Sequence, residues 1–218
     1  MNKRLTLICG HYGSGKTNVA LNLAFALQKK HPKTALADLD IVNPYFRSKD
    51  SEQALKKAGI QLICSPYANT NLDIPALPQE IYTLVDDLSL HAVLDIGGDD
   101  RGAFVLGRIA ERILQENNYE MLFVTNCYRP LTQTVANTLE VFYEIENACK
   151  IPFTGIVNNS NLGEETTTRH ILNSLPYASE LSEKTGLPVR YTTVQQGLAE
   201  SLKNKIENLF ALQLQPKW

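Results

Sequence analysis

Six short apolar runs, each separated from the next by a longer segment, most restrict what this chain can fold into. They are LTLIC, TALADLD, AVLDIG, MLFVTN, FTGIVNN and PVRYTTV. None shows the apolar–polar alternation of a strand with one wet face, so each reads as a strand buried on both sides. The intervening segments carry helical spacing. TNVALNLAFALQKK sets Val19, Leu23, Ala26 and Leu27 at i, i+4, i+7 and i+8 and ends in two lysines before His31-Pro32, which suits a helix C-terminus. RGAFVLGRIAERILQ repeats apolar residues at Val105, Ile109 and Ile113, and PLTQTVANTLEVFYEIENA is amphipathic over about five turns. Strands wet on neither face, each followed by a helix, predict an α/β fold: a doubly wound, mainly parallel sheet with helices on both faces. With 218 residues, 44% of them hydrophobic, the chain can bury one substantial core, and residues 1–218 are expected to form a single domain.

Charge and cysteine usage then exclude function classes. A formal net charge of -2 gives no reason to expect nucleic acid as an obligatory partner, though it does not exclude a basic footprint on one face. Cys9, Cys64, Cys127 and Cys149 include no C-x-x-C pair and read as reduced thiols. MNKRLTLICG runs from basic residues straight into a glycine loop, which fits a strand and not a signal peptide. No stretch approaches the ~18 consecutive apolar residues of a membrane span, so a soluble cytoplasmic protein is expected. CSPYANTNLDIPALPQE, broken by Pro66, Pro75 and Pro78, reads as a surface connection, with a functional lid as the other reading.

The loop GHYGSGKT carries the chemistry. Gly10, Gly15, Lys16 and Thr17 satisfy G-x-x-x-x-G-K-S/T, a pattern that arises by chance in such a chain on the order of once in a hundred. It lies between an apolar strand and a helix. There, glycines let successive N–H groups converge on phosphate oxygens while the helix adds its positive end. Gly10, His11, Tyr12, Gly13, Ser14, Gly15, Lys16, Thr17 and Asn18 are therefore expected to hold a nucleotide, with Lys16 on the β- and γ-phosphates and the Thr17 hydroxyl on Mg²⁺. The plain alternative is a glycine turn with an exposed lysine.

Such a site needs carboxylates at neighbouring strand ends. Asp95 ends the apolar run Ala92-Val93-Leu94 in HAVLDIGGDDR and is taken as the metal-linked one; Asp99 and Asp100 lie beyond the strand. Gly97 and Gly98 leave the backbone free to turn an amide toward a γ-phosphate. DIG in place of DE leaves no adjacent glutamate to polarise water. Asp38 and Asp40, at i and i+2 in ALADLDIVNPYFR, point to one face. One would orient the attacking water and the other hold metal-bound water, and the spacing does not decide which. Strand-end turn residues are the alternative for this pair. Tyr45, Phe46 and Arg47 suit packing against the nucleotide, a partner or the fold.

GHYGSGKT, DLDIVNPYF and VLDIGG, in this order and spacing, resemble the MinD/ParA group of P-loop ATPases, which includes the CobQ/CbiA-type enzymes and the nitrogenase iron protein. The resemblance implies a P-loop NTPase fold with seven or eight strands, ATP with Mg²⁺, and a nucleotide-controlled homodimer in many members. It also implies that Asn159, with Asn158 as the second choice, meets the adenine, and that Pro188 and Val189 complete the base pocket.

The departures are as specific. Members usually carry a signature lysine in K-G-G-x-G-K-S/T, and His11-Tyr12-Gly13 stands in that place. That lysine reaches across a dimer to the partner's phosphates, whereas a histidine is shorter and mostly neutral at pH 7. Hydrolysis is accordingly expected to be slow or partner-dependent, with His11 either touching phosphate or the second subunit, or packing in the loop. The iron protein's cluster cysteines have no match, and ENLFALQLQPKW reads as a last strand or tail and not a basic membrane anchor. Three functions remain. The favoured one is a Mg²⁺-dependent slow ATPase that switches affinity for a partner protein. The others are a small-molecule ligase or kinase using Arg47, Arg101 or Arg129 on its acceptor, and a nucleotide-binding module without turnover.

Overall fold

The computed structural model describes residues 3–39, 49–64, 79–97 and 106–214. Its first elements are β1 (Leu5–Cys9), α1 (Lys16–Gln28), β2 (Thr34–Leu39), α2 (Lys49–Lys57), β3 (Ile60–Cys64), α3 (Thr83–Asp86) and β4 (His91–Ile96). After these come α4 (Ala110–Glu116), β5 (Tyr119–Thr125), α5 (Val135–Cys149), β6 (Gly155–Asn158), α6 (Thr168–Thr185), β7 (Val189–Gln195), α7 (Gln196–Leu202) and β8 (Leu209–Leu212). The strands form one eight-stranded sheet, ordered β3-β2-β4-β1-β5-β6-β7-β8, and every neighbouring pair is parallel.

Residue type explains the layering. All residues of β1, β2 and β5 are buried, as continuous apolar strands covered on both faces must be. Along β1 the side chains alternate between two cores. Leu5, Leu7 and Cys9 join one with Phe123, Phe142 and Ile145, while Ile8 joins the other with Val19, Leu23 and Leu27 of α1. Helices α4 and α5 thus cover one face, and α1 and α2 the other. A third cluster, Ile171, Val194, Leu202 and Ile206, seats α6 and α7 at the β7 end.

The winding reverses at β1. Its neighbours are β4 and β5, and chain after β1 first fills one side of the sheet and then the other. In open parallel sheets the crevice beyond the carboxyl ends at such a reversal is the ligand position. The 10–17 loop leaves β1 there.

Two sequence expectations shift. The five-turn helix after Pro130 is a 15-residue α5 of about four turns, because Pro130–Thr132 forms a separate 3-10 turn and Thr134 caps α5 by accepting from the Asn137 amide. Strand β3 was not among the six runs, since Gln61 is exposed between buried Ile60 and Ile63 on an edge strand. The chain at 209–212 is the last strand. No helix among the described residues is long and apolar enough to cross a membrane. Most of the proline-rich connection, residues 65–78, lies outside the described residues.

Candidate nucleotide-binding site

The loop's glycines are required by what packs on them. A Cβ on Gly10 would stand 2.2 Å from the Val124 carbonyl oxygen, so the exit from β1 lies against the backbone of β5. Gly15 has φ +86°, and its Cβ would meet Asn159 Nδ2 at 2.3 Å. Between them the Ser14 amide donates to the His11 carbonyl at 3.1 Å, closing a turn. Gly15 is the N-cap of α1 and offers no side-chain cap, and no acidic residue occupies the first turn. The first N–H groups of the helix are thereby left to an external acceptor.

Asn159 holds this loop from below. Its Nδ2 donates to the Ser14 carbonyl at 2.6 Å, its Oδ1 accepts from Thr193 Oγ1, and its amide donates to the Thr125 carbonyl at 2.8 Å. One buried residue, through its side chain and its backbone N–H, therefore ties the loop to the carboxyl ends of β5, β6 and β7.

Lys16 is 5% exposed, and its Nζ has a long contact, 3.4 Å, with the His11 carbonyl. Ser14 Oγ is buried with no hydrogen-bond partner among the described residues. A buried ammonium, a buried hydroxyl and converging amides form a donor set that a phosphate oxygen satisfies. The hydrogen bond with Cys149, together with burial, pushes the Cys9 thiol up, so the residue just before the loop stays neutral and leaves Lys16 as its charge.

The carboxylates meet the loop at α1. Thr17 Oγ1 donates to Asp95 Oδ2 at 2.8 Å, and Asp95 is 1% exposed. Asp38 is buried too and is the direct register partner of Asp95 across β2 and β4. Their Cα atoms are thus about one inter-strand spacing, ~4.8 Å, apart. Two carboxylates side by side repel unless a cation or donors offset them. Hard oxygen ligands from Asp95, Asp38 and Thr17, few enough to leave room for water, match the demands of Mg²⁺.

The other expected residues fall as follows. His11 is half-buried, with Nδ1 2.9 Å from the Tyr12 carbonyl, a contact that needs the proton on Nδ1. Tyr12 is exposed, and Asn18 is half-buried in the first turn of α1. Asn158 is fully buried, with Nδ2 donating to Ser174 Oγ at 2.8 Å. Both asparagines thus have their amides committed within the protein. The expectation for Pro188 and Val189 is corrected by strand direction. They open β7 at its amino end, opposite the start of β6, whereas β7 meets the loop's support further on at Thr193. Asp40, Tyr45, Phe46, Arg47, Gly98, Asp99, Asp100 and Arg101 lie outside the described residues. Sequence reasoning missed Thr125, whose signal was a hydroxyl closing the apolar run MLFV, and Thr193, which nothing in VRYTTVQ sets apart from Thr192.

A strand, a glycine loop and a helix at the reversal of a parallel sheet define the P-loop class of nucleotide-binding proteins. The family model of the CobQ/CobB/MinD/ParA nucleotide binding domain matches residues 6–189, and the chain belongs to that family. Solved structures share the fold at low identity. A nucleotide-binding protein from Archaeoglobus fulgidus, in complex with ADP, is 14% identical with a TM-score of 0.50, covering 91% of this chain and 84% of that one. The cell division protein FtsY from Thermotoga maritima is 15% identical with a TM-score of 0.60, over 89% of this chain and 62% of FtsY. FlhF complexed with GMPPNP and Mg²⁺ is 14% identical with a TM-score of 0.53, over 87% of this chain and 65% of FlhF. No curated protein matches the chain.

Proposed function

We propose that this protein binds ATP with Mg²⁺, hydrolyses it slowly, and uses the change of nucleotide to alter its affinity for a partner protein or a second copy of itself. The observation that carries the reading is the hydrogen bond from Thr17 to Asp95, which joins the phosphate loop to a buried carboxylate at the end of β4. Asp95 and Thr17 would hold Mg²⁺, with Asp38 beside them, and the ion when bound would neutralise charge on the outer phosphates. Lys16 binds those phosphates and Asp40 orients the attacking water. Nucleotide binding and hydrolysis would toggle the DLD and DIGG segments through their contacts with the γ-phosphate. His11 in place of a lysine supports slow turnover, since its side chain is shorter than the one that reaches a partner's phosphates. ATP is preferred over GTP on the family resemblance, and the strand ends TNCY and NNSN carry no N-K-x-D guanine motif.

Phosphate release, measured with and without candidate acceptors, tests the reading. Basal release supports the switch. Release only with an acceptor would replace it by a ligase or kinase, and tight binding without release by a non-hydrolysing module. Asp40→Asn should hydrolyse at least tenfold more slowly than the parent; equal rates would remove Asp40 from its role.

A further inference from the structure

We propose that Arg129 acts in cis on the same nucleotide, placing a guanidinium against its outer phosphates from beside Gly13 at the crest of the loop. The proposal rests on the nucleotide-binding reading above. Its starting point is Gly13, which has φ +77° and an ideal Cβ position 3.9 Å from Arg129 Nε. The arginine stem therefore passes within van der Waals reach of the loop's crest, although the two residues are far apart in sequence.

The approach is built by the backbone. The Arg129 amide donates to the Asn126 carbonyl at 3.1 Å, and its carbonyl accepts from the Thr132 amide at 3.0 Å. Asn126 is 1% exposed; its Oδ1 accepts from the Tyr128 amide at 3.0 Å and its Nδ2 donates to the Asn161 carbonyl at 3.0 Å. Thr132 Oγ1 donates to the Asn126 carbonyl at 2.7 Å, and Pro130 opens the 3-10 turn. The turn after β5 thus presents Arg129 from a fixed base.

Electrostatics give the placement its meaning. The ion pairs among the described residues engage Arg4, Lys33, Arg112 and Lys203, and Arg129 takes part in none of them. It stands instead beside a loop that already carries the Lys16 ammonium and the positive end of α1. A phosphate oxygen shared between Lys16 and Arg129 would bring the two positive charges together favourably. A guanidinium is also suited to phosphate, since its planar fork donates two parallel hydrogen bonds. Arg129 thus stands beside the loop that would hold the nucleotide.

The test is titration of the full-length chain with Mg²⁺-ATPγS, Mg²⁺-ADP and adenosine, using the parent, Arg129→Ala, Arg129→Lys and Lys16→Ala. Loss of one charge-assisted contact should weaken ATPγS binding by about tenfold or more in Arg129→Ala, lower the ATPγS-to-ADP preference, and leave adenosine unaffected. Arg129→Lys, which keeps the charge but not the fork, should fall between the parent and Arg129→Ala. An Arg129→Ala affinity for ATPγS within twofold of the parent, or tighter, overturns the proposal, and so does an unchanged ATPγS-to-ADP ratio. If Lys16→Ala abolishes binding while Arg129→Ala changes nothing, nucleotide binding stands and Arg129 falls; a parent chain that binds neither nucleotide removes both.

Discussion

Replacing Asn159 with alanine separates bracing of the loop from contact with a base. The side chain is 3% exposed and makes two buried hydrogen bonds, to the Ser14 carbonyl and from Thr193 Oγ1. Truncation strands the Ser14 carbonyl at a cost of about 1–3 kcal/mol. Thr193 keeps only a long contact with the Asn158 carbonyl, at 3.4 Å, which adds up to about 1 kcal/mol more. The expected destabilisation is therefore about 1–4 kcal/mol, read from urea unfolding monitored by circular dichroism. Because the loop loses its support, affinity should fall by about tenfold or more for ATP and for inorganic tripolyphosphate alike. A residue serving only the adenine would instead weaken ATP and leave tripolyphosphate untouched. Stability within about 0.5 kcal/mol of the parent, together with unchanged tripolyphosphate binding, would refute the bracing argument.

Other perturbations have equally definite outcomes. Gly10→Ala pushes a methyl group into the Val124 carbonyl and should cost more than about 2 kcal/mol in urea unfolding, a result that an unchanged midpoint would contradict. Asp95→Asn should remove the gain in ATP affinity that Mg²⁺ gives over EDTA, measured by calorimetry; an undiminished gain would take Asp95 out of the metal site. His91 stacks on His31 with ring centroids 3.6 Å apart, and burial, then the charge of His31, lowers its pKa below the ordinary 6.5. The unfolded chain then binds the proton more readily, so stability should rise with pH from the depressed value up through about 6.5. His91→Gln should flatten that rise in urea midpoints taken between about pH 5 and 7.5, and an unaltered slope would assign the effect elsewhere.

The phosphate loop and the strand ends were legible because their chemistry is local. Lys16 and Thr17 must follow a glycine at a fixed spacing, and Asp95 announces itself by interrupting an apolar run. The central strands were legible for a related reason: two-sided burial leaves them mostly apolar, and the polar residues inside β1 and β5, Thr6 and Glu120, satisfy each other at 3.3 Å. Edge strand β3 escaped because an exposed Gln61 breaks its run. The role of Asn159 was hidden for a different reason, since its partners Ser14 and Thr193 come from distant segments that meet only when the sheet closes. Pro188 and Val189 begin the run PVRYTTV, so chain direction alone sets them at the amino end of β7, away from Thr193. Arg129 was visible as a charge, but its nearness to Gly13 is a product of the turn after β5.

The central claim is that the 10–17 loop, charged by buried Lys16, grips a nucleoside triphosphate. Isothermal titration of the purified chain with Mg²⁺-ATP, repeated on Lys16→Ala after circular dichroism has confirmed that the variant is folded, tests it most directly. Saturable heat in the parent and none in the variant is the predicted result. Equal binding by both, or none by the parent, would contradict the account.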